Sequence, residues 1–566
     1  MRRKVFGITG GILVGWLMAT AAGAVPYEPA REALRLRLET PLGEPPVVAG
    51  GDAVPAPGAV RDFYRQRLYE PAWLSEDGRI PQADALLAAI NEAAAEGLDP
   101  SDYQRRRIAE VVQRAARLRS QDKLTARRVV DIELLMTSSW LTLASHSLRG
   151  KTDPETLDAQ WEIARRDGDV VAALQDAIET GRVYERLRGM LPDEPGYAGL
   201  QDALTRYRRI SEDGGWEPIP AGSTLRAGDE GERVKQLRER MGHTETVGGT
   251  EAGNPAVFDA ELESAVKRFQ ARHGLEPDGL VGGDTLAALN VPVRDRIRQI
   301  RVNLERRRWL PDDLGERHIM VNIAGFEMSV VDAGEIVMRQ RVIVGRDYRQ
   351  TPVFSGRMTY LVLNPSWEVP HSIASRDLLR EVQADQRYID RMGFDIFRGW
   401  GANQQRIDAA EVDWQALSPQ RMPYRFRQRP GPLNALGQVK FMFPNKHAVY
   451  LHDTPSRELF NRAERAFSSG CIRVQEPLAL ADHLLAGSER WSPDALRQAL
   501  DSRREMTVAL PQAMPVHLQY LTAWGSDGRL ELRRDIYNRD AAVADALEAE
   551  HGSAVIDADQ ATEEAY

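Results

Sequence analysis

Ala448-Val449-Tyr450-Leu451-His452, followed nineteen residues beyond its histidine by Cys471 in Phe467-Ser468-Ser469-Gly470-Cys471-Ile472-Arg473-Val474, is the stretch on which the reading of this chain turns. The first segment has the composition of a β-strand. A two-residue period puts Tyr450 and His452 on one face and Val449 and Leu451 on the other. Ser468-Ser469-Gly470 reads as a tight turn, in which Gly470 permits close backbone approach and leaves the amide N–H groups of Gly470 and Cys471 available. Cys471 is the only cysteine in the chain. One reading makes it a buried, inert thiol acting as a small hydrophobe. The other makes it a nucleophile. His452 would take its proton, with the Tyr450 phenol presented to the same cleft, the N–H groups would receive an oxyanion, and Arg473 would help to hold negative charge. His452 itself has the alternative of a satisfied core histidine at a strand end.

Outward from this stretch the chain is β-rich. His318 to Asn322, Met328 to Val331, Val337 to Val344 and Tyr360 to Asn364 are short, Val- and Ile-rich runs bounded by Gly, Asp or Pro, and read as strands. Asp332-Ala333-Gly334-Glu335 has the composition of a hairpin turn. Strands resume at Val439 to Phe443, and Pro515 to Ile536 reads as a final hairpin around Ser526-Asp527-Gly528. Between Ser372 and Gln428 the strand pattern lapses. Ile373 to Gln386 looks helical, and Arg421, Arg425, Arg427 and Arg429 follow. An insertion of this length in a β-domain predicts a lid or binding loop. A solvated face is the ordinary reading of its arginines.

Upstream the pattern is helical. Residues 60–215 predict a helical domain, in which Thr125 to Leu148 carries apolar residues at helical spacing up to Gly150. Within residues 222–292, helices are expected at Glu232 to Met241, Asp259 to His273 and Gly283 to Leu289. A basic helix, Val293 to Trp309, leads into the β-rich domain of residues 300–537. Residues 25–59 are rich in Pro, Gly, Ala and Val and read as an extended linker. Residues 538–566 read as an acidic, frayed tail.

The chain has 566 residues, too many for one core, so several domains are expected. Its N-terminus places Arg2, Arg3 and Lys4 before an apolar run from Val5 to about Ala22, and Ala22-Gly23-Ala24 offers a cleavage site. Residues 1–24 therefore predict a secretory signal, with an uncleaved membrane anchor as the alternative, and a periplasmic mature protein. Losing the three basic residues takes the formal net charge from −9 to −12. No basic domain suggests nucleic acid as a partner. A lone thiol in an oxidising compartment has no internal disulfide partner, which favours the nucleophile reading. There is no HExxH motif and the histidines are scattered, so neither a metal nor an organic cofactor is expected.

Two family resemblances can be drawn from these residues. Leu225-Arg226-Ala227-Gly228-Asp229, Val234-Lys235-Gln236-Leu237, Ala265-Val266-Lys267-Arg268-Phe269-Gln270 and Gly274 to Leu289 resemble the peptidoglycan-binding domain type 1. Tyr450-Leu451-His452-Asp453-Thr454-Pro455 with Ser468-Ser469-Gly470-Cys471-Ile472-Arg473-Val474 resembles the signature of the L,D-transpeptidase (YkuD-type) catalytic domain. Asn303 to Pro311, Asn364-Pro365-Ser366-Trp367-Glu368-Val369-Pro370, Ala466-Phe467, and Leu521-Thr522-Ala523-Trp524 to Asp535-Ile536-Tyr537 extend the similarity to the YcbB-like subgroup. It spans roughly residues 60–540. Ser469 stands where many YkuD members have histidine, and serine there fits the subgroup.

The fold class so implied is multidomain α+β. It comprises a helical scaffold domain, a small three-helix peptidoglycan-binding-like domain, and a β-rich YkuD-type domain with an inserted capping subdomain. The implied reaction is 3→3 cross-linking of peptidoglycan. Cys471 attacks a donor tetrapeptide stem and releases D-alanine, His452 is base and then acid, and the side-chain amine of an acceptor diamino acid resolves the thioester. The resemblance also implies oxyanion or substrate contacts from Tyr450, Gly470, Ser469 and Arg473, with Trp367 either lining the cleft or packed in the core. A backbone carbonyl, not Asp453, would orient His452. Stem peptides are the implied partners, with glycan strands at the type 1 module and cell-wall synthases beside them, and a carbapenem adduct on Cys471 is expected. The rival functions are a wall cysteine peptidase or L,D-carboxypeptidase, with water as acceptor, and a non-catalytic wall-binding scaffold.

Overall fold

The computed structural model describes residues 27–549, apart from 40–46, 76–78, 118–123, 159–160, 248–253 and 527. The expected signal at residues 1–24, the last part of the tail and Asp527 of the hairpin turn lie outside the described residues. Among the described residues no helix is long and apolar enough to cross a membrane.

The helical region is built around the Ala126–Arg149 helix, whose N-cap Thr125 accepts from the Arg128 amide and whose C-cap is Gly150. Nearly all of its length is buried, because other helices cover it on every side. Glu133 is fully buried among them. Its carboxylate is satisfied by the amides of Ala72, Trp73 and Leu74 and by the Tyr64 hydroxyl.

The predicted linker is corrected here. Tyr27–Leu38 is a helix that buries Ala30, Leu34 and Leu38, and Val48–Ala49 pairs with Asp52–Ala53 as a short hairpin. Both join the core of the helical region. The Pro and Gly residues masked an apolar spacing of three to four residues that needs the larger domain to bury it.

Residues 232–289 form the small helical unit, with helices Glu232–Gly242, Ala260–Arg272 and Gly283–Leu289. Its motif residues have structural employment. The Gln270 side chain is buried and donates to Asp278 Oδ1 at 2.8 Å, to the Leu280 carbonyl at 2.9 Å and to Thr285 Oγ1 at 3.1 Å. It also accepts from the Gly279 amide at 2.8 Å. One buried amide thus fixes the Asp278-Gly279 turn, an obligation any buried polar group must meet.

The β-rich domain is built on a closed ring of eight strands, with further strands outside it. Numbered along the chain, they are β1 (Trp161–Glu162), β2 (Arg317–Asn322), β3 (Glu327–Asp332), β4 (Glu335–Gly345), β5 (Val353–Leu363), β6 (Trp367–Glu368), β7 (Phe394–Arg398), β8 (Gln405–Ile407), β9 (Tyr424–Gln428), β10 (Val439–Met442), β11 (Leu451–His452), β12 (Ala466–Ser468), β13 (Ile472–Val474), β14 (Met506–Gln519), β15 (Ala523–Ser526) and β16 (Arg529–Leu532). The order β10-β11-β13-β4-β3-β2-β14-β5 returns to β10, because β10 also pairs with β5. Closure leaves the ring without free edges. Its interior holds Val321, Val330, Leu361, Phe441, Leu451, Ile472 and Val516, all fully buried.

Three further expectations change. β1 comes from the helical region and pairs in parallel with β5, so that region contributes a strand to the sheet of the β-rich domain. Pro515 to Gln519 belongs to β14, and only β15 and β16 form the final hairpin. The predicted frayed tail begins with a helix, Asp540–Glu548, that buries Val543, Ala544 and Leu547 in the core of the β-rich domain. Lys151 Nζ donates to its Leu547 carbonyl at 2.8 Å.

The insertion has its own core, which includes Leu379, Ile389, Phe394, Trp414 and Phe426. The strand pattern does not lapse within it. β8-β7-β9-β6 form an antiparallel sheet. Its outer residues are arginines that read as loop, because their partners are distant in sequence. Arg425 and Arg427 pair with Glu368, Arg429 pairs with Asp395, and the Arg425 guanidinium lies 3.9 Å over the Trp400 ring.

Candidate active site

Three neighbouring strands build the site from their outward-facing residues. On β11, Leu451 points into the ring; on β13, Ile472 and Val474 do; on β10, Val439 and Phe441 do. Strand alternation then sends Lys440, Tyr450, His452, Cys471 and Arg473 to the other face. The registers align them. Lys440 is opposite His452, and His452 is opposite Arg473. β11 and β13 run parallel, so Cys471 falls beside Tyr450, an alignment extended by Ile472 N–H donating to the Tyr450 carbonyl at 3.1 Å.

His452 is buried, and its Nδ1 lies 2.5 Å from the Asp453 carbonyl. A carbonyl can only accept, so Nδ1 holds the proton and Nε2 keeps its lone pair. Burial, with Arg473 adding to it and the Asp453 carbonyl opposing, pushes the imidazole down to about 3. His452 is therefore a neutral acceptor at any pH near neutrality. The Asp453 side chain is occupied elsewhere, accepting from the Gln438 and Thr454 amides and pairing with Arg457.

Cys471 is half-buried and unpaired. Its thiol lies 3.9 Å from the Ala448 carbonyl. Burial pushes it above its ordinary value, opposed by hydrogen bonds from the Tyr450 amide and hydroxyl and by the charges of Lys440 and Arg473. The Tyr450 hydroxyl is held well above the usual phenol range by burial and by Cys471, while Trp367 donates to it. Trp367 thereby joins the capping sheet to the site, since it also packs against the insertion's core. Burial lowers the Arg473 guanidinium, and its Nε is buried without a hydrogen-bond partner.

The turn that carries Cys471 is held on several sides. Gly470 has φ 113°, a conformation that favours glycine. The Ser468 hydroxyl donates to the Cys471 carbonyl at 2.5 Å and accepts from the Gly470 amide at 3.1 Å. The Gly470 N–H is thus engaged within the turn, a correction to its expected availability as an oxyanion donor. Thr351 Oγ1, fully buried, donates to the Gly470 carbonyl at 2.9 Å and accepts from the Gly345 amide at 2.9 Å. The Tyr537 hydroxyl donates to the Gly345 carbonyl at 2.6 Å and accepts from the Thr351 amide at 3.2 Å. At Gly345 a Cβ would lie 2.1 Å from the Arg349 carbonyl, so the turn closes only around glycine. Ser469 is exposed, and its hydroxyl accepts from Arg349 Nη1 at 2.8 Å. The same nitrogen is 2.7 Å from Asp377 of the insertion.

The residues expected to act together, Cys471, His452, Tyr450 and Arg473, share one face, with Trp367 against Tyr450. Lys440, Thr351 and Arg349 were not anticipated. A signal for Lys440 existed, since it alternates with Val439 and Phe441 in a strand-like run. Among the described residues no cluster of His, Cys, Asp and Glu could hold a metal ion. Chemically, the face offers a thiol, a neutral acceptor for its proton, a phenolic donor and two cations.

Residues 316–492 match the L,D-transpeptidase catalytic domain (YkuD), residues 58–204 a "Scaffold domain", and residues 230–289 a "Putative peptidoglycan binding domain". Over 242 residues, 43% of the chain, it is 36% identical to a Haemophilus influenzae protein named "Putative L,D-transpeptidase". The match spans 48% of that protein, about half its length. Among solved structures, an L,D-transpeptidase from Mycobacterium smegmatis is 14% identical, with 36% of this chain and 58% of that one covered and a TM-score of 0.17. An L,D-transpeptidase from Xylanimonas cellulosilytica is 16% identical, with 54% and 100% covered and a TM-score of 0.15. Similarities this slight carry no argument about the fold.

Proposed function

We propose that this chain, which carries an L,D-transpeptidase catalytic domain and a peptidoglycan-binding module, forms 3→3 cross-links between peptidoglycan stem peptides. The carrying observation is the alignment of Cys471 with Tyr450, one step from a His452 whose Nδ1–H is fixed on the Asp453 carbonyl.

The chemistry follows from the charges. The resting pair is neutral thiol and neutral imidazole, so the proton leaves sulfur as sulfur attacks. Nε2 of His452 takes the proton, the S–C bond forms at the donor carbonyl, and the carbonyl oxygen becomes an oxyanion facing the Tyr450 hydroxyl. Collapse breaks the C–N bond, and the proton on His452 goes to the departing amine of D-alanine. The side-chain amine of the acceptor then attacks the thioester and gives its proton to His452. The C–S bond breaks, and the thiol is restored when that proton returns to sulfur.

The remaining parts suit this reading. The insertion reaches the site through Trp367 and through Asp377, as a substrate cap would. The domain order and Ser469 fit the YcbB-like subgroup. A secretory signal at residues 1–24 would place the enzyme in the periplasm beside cell-wall synthases, with the small helical module holding wall material.

The test is Cys471→Ala in the producing cell, with cross-links analysed by mass spectrometry. Loss of 3→3 dimers is expected, and unchanged dimers sink the reading. With purified protein and a tetrapeptide donor plus acceptor, a tripeptide product with no dimer would favour the L,D-carboxypeptidase instead. Mass added to Cys471 by a carbapenem would further support an accessible, activated thiol.

A further inference from the structure

Lys440 stands out among the charged groups of the catalytic face. It is half-buried on β10, between Val439 and Phe441, which face the core. Its register opposes His452, and its Nζ lies 3.9 Å from the centre of the Tyr450 ring. Most half-buried lysines are paired or extend their ammonium to water. Among the described residues no carboxylate lies at ion-pair distance from this one. The negative charges it feels are Cys471 and, more weakly, Glu505. A cation held over an aromatic face beside an ionisable thiol gains further compensation when that thiol gives up its proton.

We propose that Lys440 is an additional electrostatic component of the site, whose ammonium holds the negative charge that develops on the Cys471 sulfur. The groups facing that sulfur are then accounted for by strand. Tyr450 donates from the loop leading into β11, His452 on β11 accepts the proton, and Arg473 on β13 and Lys440 on β10 supply positive charge from either side. Arg473 opposes protonation of His452, and Lys440 does so less strongly. Both cations therefore favour the thiolate and disfavour the imidazolium. In such a site the proton moves on to the leaving amine and does not rest on His452. Lys440 also fixes the Tyr450 ring, so the same side chain orients the phenol that donates to sulfur.

This inference deepens the acyl-transfer reading but is tested without a peptidoglycan donor, so the two can fail separately. The full chain is alkylated with iodoacetamide across a pH series, and modification of Cys471 is followed by mass spectrometry. Lys440→Met is expected to move the midpoint of alkylation upward by about one pH unit, which slows the reaction roughly tenfold at a fixed pH below it. Lys440→Arg is expected to stay near the parent midpoint. An unchanged midpoint in Lys440→Met overturns the proposal, as does an equal shift in Lys440→Arg, because shape and not charge would then be responsible. Lys440→Gln gives the same comparison if the methionine variant folds poorly, with circular dichroism as the check on folding.

Discussion

Arg349 Nη1 bridges Asp377 at 2.7 Å and Ser469 Oγ at 2.8 Å, so a single guanidinium links the capping insertion to the turn that carries Cys471. The two ends are 92 residues apart in the chain and belong to different cores. Asp377 is partly exposed, so the ion pair is worth little as a source of stability. Its value is positional.

Asp377→Ala is therefore expected to slow acylation by a peptide donor by roughly two- to fivefold, which an interaction of up to about 1 kcal/mol can supply. Alkylation of Cys471 by a small reagent should be unchanged. Equal losses in both assays would show a general disturbance of the turn instead of a link to the insertion.

Thr351→Val keeps the side-chain shape but leaves the Gly470 carbonyl and the Gly345 amide without their partner. Both lie in a buried network, so a loss of about 1–3 kcal/mol in unfolding free energy is expected by denaturant titration. Thr351→Ser restores the hydroxyl and should recover most of it. A valine variant as stable as the parent would mean that the turn holds without this bond.

The pH dependence of Cys471 alkylation follows from two shifts of known sign. Burial disfavours the thiolate and places the thiol above its ordinary value of 9.0. The imidazole is held near 3, far below its ordinary 6.5. The rate should climb about tenfold per unit through neutrality and beyond pH 9, because the thiolate fraction does. No inflection should occur near 6.5, because His452 is neutral on both sides of it. A plateau between pH 7 and 9 would contradict this account and indicate a thiolate–imidazolium ion pair at rest.

His452→Ala separates the base from the nucleophile. Acylation by a peptide donor at neutral pH is expected to fall by about 10²–10⁴-fold. Alkylation at high pH, where solvent removes the proton, should persist. If donor acylation survives the substitution, proton transfer does not pass through His452.

Much of this was legible along the chain. The alternation of Val449, Tyr450, Leu451 and His452 puts Tyr450 and His452 on one face, which is the face where the structure also places Cys471 and Arg473. The caps of the Ala126–Arg149 helix were written as Thr125 and Gly150, and Gly283 to Leu289 ended where its pattern ended. Tyr27–Leu38 and Asp540–Glu548 have the local pattern of linker and tail, because a short amphipathic helix is marginal until the surface that buries it is in place. The strands β7 and β9 were missed because their arginines find Glu368 and Asp395 only after the sheet has formed.

The sequence by itself determined the modular order and the placing of Tyr450 and His452 on one strand face ahead of the Gly470-Cys471 turn, since these rest on spacings of a few residues that strand and helix periods enforce. The tertiary structure alone decided that the strands close into a ring and that the cap sheet reaches Tyr450 through Trp367. It also decided that Gly470 is held by Thr351 and that Lys440 stands beside His452 and Tyr450. Those facts depend on pairing registers and buried hydrogen bonds between segments far apart in the chain. No local pattern encodes them, because their free energy is realised only when both partners leave water together.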